Sequence, residues 1–278
     1  MLNVLNTQLY RLKKSKLFWA LFIVCAVLPL LGALLISVIT LILEKNLSGE
    51  SAELFVELIG QGGEQTVNAL GGLIGLSSDA ALFSLICSSI FLSGEFSGGA
   101  IRNMVIANKS RTQIFFSFFS VALIIGFSYL GVSYASTLLC YGAVIGFSGM
   151  TVAKILSGCF ASLFLGIITI ALVQSCVCMF LFATRKTGPT VAFPILLILF
   201  APGLMSVIVG IIEVVKVAVS MEAISEVTRS WIPLVNMEMF RATDIDGALI
   251  AKIALYNILI AAILAFFSWF AIKKVDLK

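Results

Sequence analysis

One charged stretch of the chain, residues 94–116, lies between two long apolar runs and holds the side chains best suited to docking chemistry. It carries the carboxylate Glu95, a Ser-Gly-Gly break, and the cations Arg102, Lys109 and Arg111. Such a segment cannot lie in lipid, because its charges and bent backbone need water or protein partners. We expect it to lie in the cytosol, where its cations could dock on a partner.

Residues 100–108 of this stretch have the spacing of a short helix. Arg102 and Lys109, seven positions apart, share one face. The apolar residues fall on another face: Ile101, Met104 and Val105. We therefore expect a short helix at the inner membrane surface, with one face toward the spans and one toward the cytosol. The alternative is a cytoplasmic loop that only anchors two helices by charge.

Catalytic and metal chemistry find little support in the sequence. The chain has no histidine, which removes the commonest metal ligand and general base. It has no GxxxxGK[ST] loop for nucleotide phosphates. The six cysteines all lie in apolar runs, where they are expected to be small core residues. We expect no enzyme activity, cofactor or metal on this chain.

The composition indicates an integral membrane protein. Of 278 residues, 60% are hydrophobic and 12% are charged, whereas a soluble domain carries roughly 25% charged residues. No nucleic-acid partner is expected, because the cations cluster near the ends of apolar runs. We predict one all-α transmembrane domain over residues 1–278.

The apolar runs predict six membrane spans. Their expected ranges are 17–43, 73–93, 114–145, 155–183, 189–212 and 247–272. Residues 1–16 precede them as an amphipathic helix expected in the inner interface, the alternative being a frayed basic tail. Segments 44–72 and 213–246 are expected outside the cell, and 94–113 is expected to be the cytoplasmic connection between spans 2 and 3.

Charge fixes the predicted orientation of these spans. The segments assigned to the inside hold twelve cations against Glu95 and Asp276, while the outer segments hold the other six cations and twelve carboxylates. Cations concentrate on the cytoplasmic side of membrane proteins. We therefore predict a multi-pass plasma-membrane protein with both termini in the cytoplasm.

Two spans contain residues that could form a path or a gate. Span 2 holds Ser84 and Ser88, small polar residues that allow close helix packing or line a path. Asp79 lies at its outer boundary, either as an intramembrane carboxylate or as a helix cap. In span 5, a break near Pro202 is expected to be a gate or a packing kink. The candidate residues of span 5 are Pro194, Pro202 and Gly203.

The charged stretch resembles the segment between spans 2 and 3 of type-2 ABC transporter permeases, which has the form E-(Y/F)-x-x-G-T-(I/L)-(R/K)-x-x-(L/V)…S-R-x-x-(I/L). Ala100 replaces the usual Thr, and Phe118 stands where a Lys often follows. The matching residues are Glu95, Phe96, Gly99, Ile101, Arg102, Val105, Ser110, Arg111 and Ile114. Six spans, a basic N-terminal helix and the absence of a nucleotide motif agree with this resemblance.

The resemblance implies the permease half of an exporter. Two permease chains, identical or paralogous, would join two ATPase subunits, which would hold ATP and Mg²⁺ in place of this chain. A coupling helix would dock on the ATPase and drive rearrangement of spans 2 and 5. The residues expected to couple to the ATPase are Glu95, Gly99, Arg102, Asn103, Lys109 and Arg111.

The expected cargo of such an exporter is hydrophobic or amphipathic. The candidate path residues are apolar, aromatic, Ser or Gly, without a buried charge pair. A peptide such as a lantibiotic or a small toxin fits these properties best. Two other functions stay open on the sequence, a secondary carrier that uses Asp79 and an accessory membrane scaffold.

Overall fold

A computed structural model describes residues 2–46, 62–75, 78–98, 104, 110–197, 200, 207 and 247–274, and these residues are helical apart from short turns. We number the helices in chain order. They are α1 (Leu2–Lys14), α2 (Lys16–Asn46), α3 (Gly62–Gly71, followed by a 3₁₀ turn at Gly72–Ile74), α4 (Asp79–Ser97), α5 (Arg111–Val144), α6 (Val152–Thr184), α7 (Thr187–Leu197) and α8 (Gly247–Lys274).

Five segments of the described chain are long and apolar enough to cross a membrane. Their ranges are Lys16–Ile42, Gly63–Phe96, Arg111–Val144, Val152–Thr184 and Gly247–Lys273. They correspond to predicted spans 1, 2, 3, 4 and 6. The predicted fifth span begins in α7 and continues outside the described residues, where segment 213–246 also lies, so the six-span count stays a prediction.

The start of span 2 differs from the sequence prediction. Residues 62–71, assigned above to an outer polar loop, form α3, in which Val67 and Leu70 are fully buried. The polar residues of α3 made this segment resemble a loop, but Thr66 is buried as well, and its hydroxyl donates to the Gly146 carbonyl oxygen at 2.8 Å. The span continues beyond a break as α4, which Ser78 caps by accepting the Ala81 N–H.

The helices meet in two apolar clusters, one toward each end of the bundle. The first joins α3, α4, α5, α6 and the first half of α8, and includes Val67, Leu85 and Ile253. The second joins α1, α2, α4, α5, α6 and the last turn of α8, and includes Leu12 and Ile272. We call the second end, which also carries Arg11, Arg111 and Lys273, the basic end.

A polar contact crosses the interior between the two clusters. Gln174 of α6 is fully buried and donates its Nε2 to the Ser84 hydroxyl of α4 at 3.1 Å. The same side chain lies against Gly126 of α5, together with Ile170. A hydrogen bond between apolar helices satisfies polar groups that lipid cannot satisfy. Because Gln174 and Ile170 of α6 lie directly against residue 126 of α5, the close crossing of α5 and α6 requires a small residue at this position.

Gly126→Ala is expected to lower the free energy of unfolding by about 1–3 kcal/mol, the usual cost of overpacking. A Cβ on residue 126 would overlap Ile170 Cγ2 and lie 3.1 Å from Gln174 Cγ. The measurement is unfolding in detergent. It is monitored with a maleimide dye, which reacts with the buried Cys25, Cys87, Cys176 and Cys178 as they become exposed.

Gly131→Ala is the matched control, because a Cβ there meets no atom within 4 Å. It is expected to leave stability unchanged or to raise it slightly, since alanine favours the helix. Equal stability of the two variants would show that the α5–α6 crossing does not depend on close approach at residue 126.

Candidate coupling site

Glu95 lies in the last turn of α4, at the basic end, and is paired within its own chain. Its Oε2 accepts from Arg11 Nη1 of α1 at 2.6 Å. The Glu95 side chain is only 6% exposed, whereas that of Arg11 is 55% exposed. A carboxylate removed from water needs a cation or several donors, so Arg11 holds α1 against the end of α4.

A second polar contact fixes α1 on the neighbouring helix. Gln8 is buried, and its Oε1 accepts from the Ser117 hydroxyl of α5 at 3.0 Å. Leu5, Leu9 and Leu12 pack on the basic-end cluster beside it. The predicted N-terminal helix is therefore present, and its leucine face packs against protein.

Arg111, the first residue of α5, connects that helix to α8. Its Nη1 donates to the carbonyl oxygen of Lys273 at 2.6 Å. A guanidinium at the C-terminal end of a helix satisfies a carbonyl that has no partner within the helix, and it interacts favourably with the helix dipole. Lys273 in turn places its ammonium over the Trp269 ring, 3.8 Å from the centroid.

The connection between these two anchored ends is shorter than predicted. Helix α4 runs to Ser97 and α5 begins at Arg111, so both ends of the predicted segment 94–113 are helical. Met104 packs on the basic-end cluster, as its predicted apolar face requires. Four of the predicted coupling residues lie outside the described residues: Gly99, Arg102, Asn103 and Lys109.

The structure separates the candidate path residues. Asp79 is exposed and is the first residue of α4, directly after the cap Ser78. Ser84 and Ser88 are fully buried in the bundle, where Ser88 donates to the Leu85 carbonyl at 3.2 Å. Pro194 is buried within α7. Pro202 and Gly203 lie outside the described residues.

Three residues of this site were not identified from the sequence: Arg11, Gln8 and Ser117. The signal for Gln8 is present, because it shares a helix face with Leu5 and Leu12, and a polar residue on a buried face needs a partner. The signal for Arg11 is weaker, since it stands in a run of cations that all suit a membrane surface. Nothing local in the sequence distinguishes it from its neighbours.

Comparison with known proteins places the chain in one family. The family described as ABC-2 family transporter protein matches residues 4–203, which is well over half of the chain. The match covers α1 to α7 and therefore includes Arg11, Glu95 and Arg111. No curated protein and no solved structure matches the chain.

The Arg11–Glu95 contact is expected to show a coupling energy of about 1–2 kcal/mol in a double-mutant cycle, because one partner is buried and the other is half exposed. The variants are Arg11→Gln, Glu95→Gln and the pair, measured by unfolding in a denaturing detergent. Arg11→Gln should destabilise more than Glu95→Gln, since it leaves a buried carboxylate without a cation.

Lys14→Gln combined with Glu95→Gln is the matched control cycle. Lys14 is on the same helix and exposed, and its ammonium lies over the Tyr10 ring. Its coupling to Glu95 should be near zero. A coupling for Arg11 no larger than for Lys14 would mean that the short contact contributes nothing to stability.

Proposed function

The chain belongs to the ABC-2 transporter family as a membrane-spanning permease subunit, and from this premise we propose that it exports an amphipathic cargo with energy from a separate ATPase. In this proposal the basic end faces the cytosol, six spans cross the plasma membrane, and both termini are cytoplasmic. Two ATPases bind ATP and Mg²⁺ and act on two permease chains.

The observation that supports coupling at the basic end is the anchoring of both helices that flank residues 98–110. Helix α4 is held to α1 by Glu95 and Arg11, and α5 is held to α8 by Arg111. Coupling needs an element with defined contacts that can change together. A displacement of this connection would therefore move four helices as one group, and this is what a coupling segment must do.

The cargo is proposed to travel along a mainly apolar surface. One side of α4 is at least partly open and carries Leu82, Ile86 and Ile90, with Asp79 at its far end. Asp79 is sixteen positions from Glu95, about 24 Å along the helix axis. This pattern suits an amphipathic peptide with a cationic group, such as a lantibiotic or a small toxin.

A secondary carrier is the second candidate function, and Asp79 is the observation that favours it. Carboxylates that titrate or bind cations at membrane depth are typical of carriers. The two functions differ in their energy source, so transport that needs ATP and a partner ATPase supports the exporter. Transport that follows an ion gradient and fails without Asp79 would support the carrier.

A tagged chain purified from native membranes in mild detergent is expected to bring down an ATPase in stoichiometric amount. Arg102→Glu combined with Lys109→Glu should remove it, because these cations are predicted to face the ATPase. Lys154→Glu combined with Lys252→Glu, exposed at the other end of the bundle, should retain it. Absence of an ATPase in several mild detergents would overturn the proposal.

Asp79→Asn is expected to reduce protection of cells against a cationic amphipathic peptide about two- to fivefold, the effect of losing one exposed charge pair. The measurement is peptide tolerance of cells that express the transporter and its ATPase. Glu64→Gln is the control, since Glu64 is an exposed carboxylate on α3. Equal effects of the two variants would remove Asp79 from the cargo path.

A further inference from the structure

One side of α2 is apolar and uncovered along most of its length. Ile23, Leu31 and Leu35 are 60%, 52% and 63% exposed, although all are large aliphatic side chains. They recur at helical spacing and so form one stripe. In a protein that spans a bilayer, lipid acyl chains cover such a stripe.

The stripe ends at the basic end with an aromatic residue and a cation. Trp19 is 49% exposed, and Lys16 lies one turn before it. The Trp19 indole N–H donates to the Lys13 carbonyl oxygen at 2.9 Å, and Ser15 accepts the Phe18 N–H at 3.4 Å at the start of α2. These bonds fix the turn between α1 and α2, so Lys13 stays beside the end of the lipid-facing stripe.

Three lysines at this turn are exposed: Lys13, Lys14 and Lys16. None of them makes an ion pair within the described part of the chain, whereas the neighbouring Arg11 forms an ion pair with Glu95. Lys14 lies over the Tyr10 ring, 4.5 Å from its centroid. The first acidic residue in the sequence is Glu44, so no neighbouring carboxylate along the chain neutralises these charges.

The inner face of α1 is already occupied, which leaves the lysines directed elsewhere. Gln8 and Leu12 are buried against the bundle, and Tyr10 and Lys14 lie on the opposite side of the helix. A cluster of exposed cations with an amphipathic aromatic side chain, at the end of a lipid-facing stripe, is suited to a phosphate headgroup.

We propose that Lys13, Lys14, Lys16 and Trp19 form a binding site for an acidic phospholipid, whose headgroup lies at the α1–α2 turn and whose acyl chains lie along the α2 stripe. The proposal goes beyond export, because it requires only that the bundle spans a bilayer. It depends on neither the ATPase nor the cargo, so its test can fail while the proposed function stands.

The test uses the fluorescence of Trp19 in the full chain, with Trp231→Phe and Trp269→Phe as background. The protein is reconstituted in mixtures of phosphatidylcholine and phosphatidylglycerol in which either the phosphatidylglycerol or the phosphatidylcholine is brominated. The quenching of Trp19 by each brominated lipid gives the relative affinity of the two lipids for the site beside it. We expect phosphatidylglycerol to be preferred about tenfold at low salt, and less as salt screens the lysines.

Lys13→Gln, Lys14→Gln and Lys16→Gln together should reduce the preference for phosphatidylglycerol to within about twofold, since each lysine near a membrane surface attracts acidic headgroups. Lys16→Gln alone should remove part of it. These side chains are exposed, and unchanged thermal unfolding will show that the variants fold. Lys154→Gln with Lys252→Gln, two exposed lysines at the opposite end, should leave the preference intact.

Three outcomes would overturn the proposal. The first is an unchanged preference in the triple variant, and the second is an equal loss in the Lys154/Lys252 control, which would indicate general surface charge. The third is displacement of phosphatidylglycerol by inorganic phosphate at an ionic strength matched with chloride. That result would identify a site for free phosphate instead of a lipid.

Discussion

A buried carboxylate needs a positive partner, and at Glu95 this requirement organises the basic end. Glu95 lies in the last turn of the apolar helix α4, and only 6% of its side chain is exposed. An unpaired charge at such a buried position would be costly. Arg11 satisfies it from α1, and α1 in turn packs Leu12 and Gln8 onto the bundle. The ion pair, the Gln8–Ser117 hydrogen bond and the packing of Leu12 together hold the first helix on the bundle.

Helix length explains why α1 has a surface to pack on. The Tyr129 hydroxyl donates to the Phe18 carbonyl near the start of α2 at 2.9 Å. The Tyr129 carbonyl oxygen lies 3.9 Å from Cys25 Sγ, nine residues into α2. Residues 111–129 of α5 amount to about 27 Å of helix, so about half of this stretch extends past the start of α2. Its side chains Ile114, Phe115 and Phe118 are apolar and buried. Helix α1 covers part of this extension, with Gln8 bonded to Ser117.

The long membrane-spanning helices were predictable from the sequence, because a run of about twenty apolar, uncharged residues has few alternatives to a membrane helix. Five of the spans were identified on this basis, whereas the N-terminal helix was predicted from its amphipathic pattern. Helix α3 was missed, because its glycine-rich and polar sequence hides the buried Val67 and Leu70. The partner of Glu95 was missed for a different reason. Sequence gives the sign of a charge, but which of several neighbouring cations reaches a carboxylate 84 positions away depends on tertiary packing.

The two sides of α1 combine these constraints in one rigid element. Arg11 points to α4, while Tyr10 and Lys14 lie on the side away from Gln8 and Leu12. Because α1 is an unbroken helix of 13 residues, its two sides cannot move independently. The turn at Ser15, fixed by the Trp19–Lys13 hydrogen bond, joins this helix to the lipid-facing α2. The residues of the proposed phospholipid site and the Arg11 contact with the end of α4 therefore lie on the same short stretch of sequence.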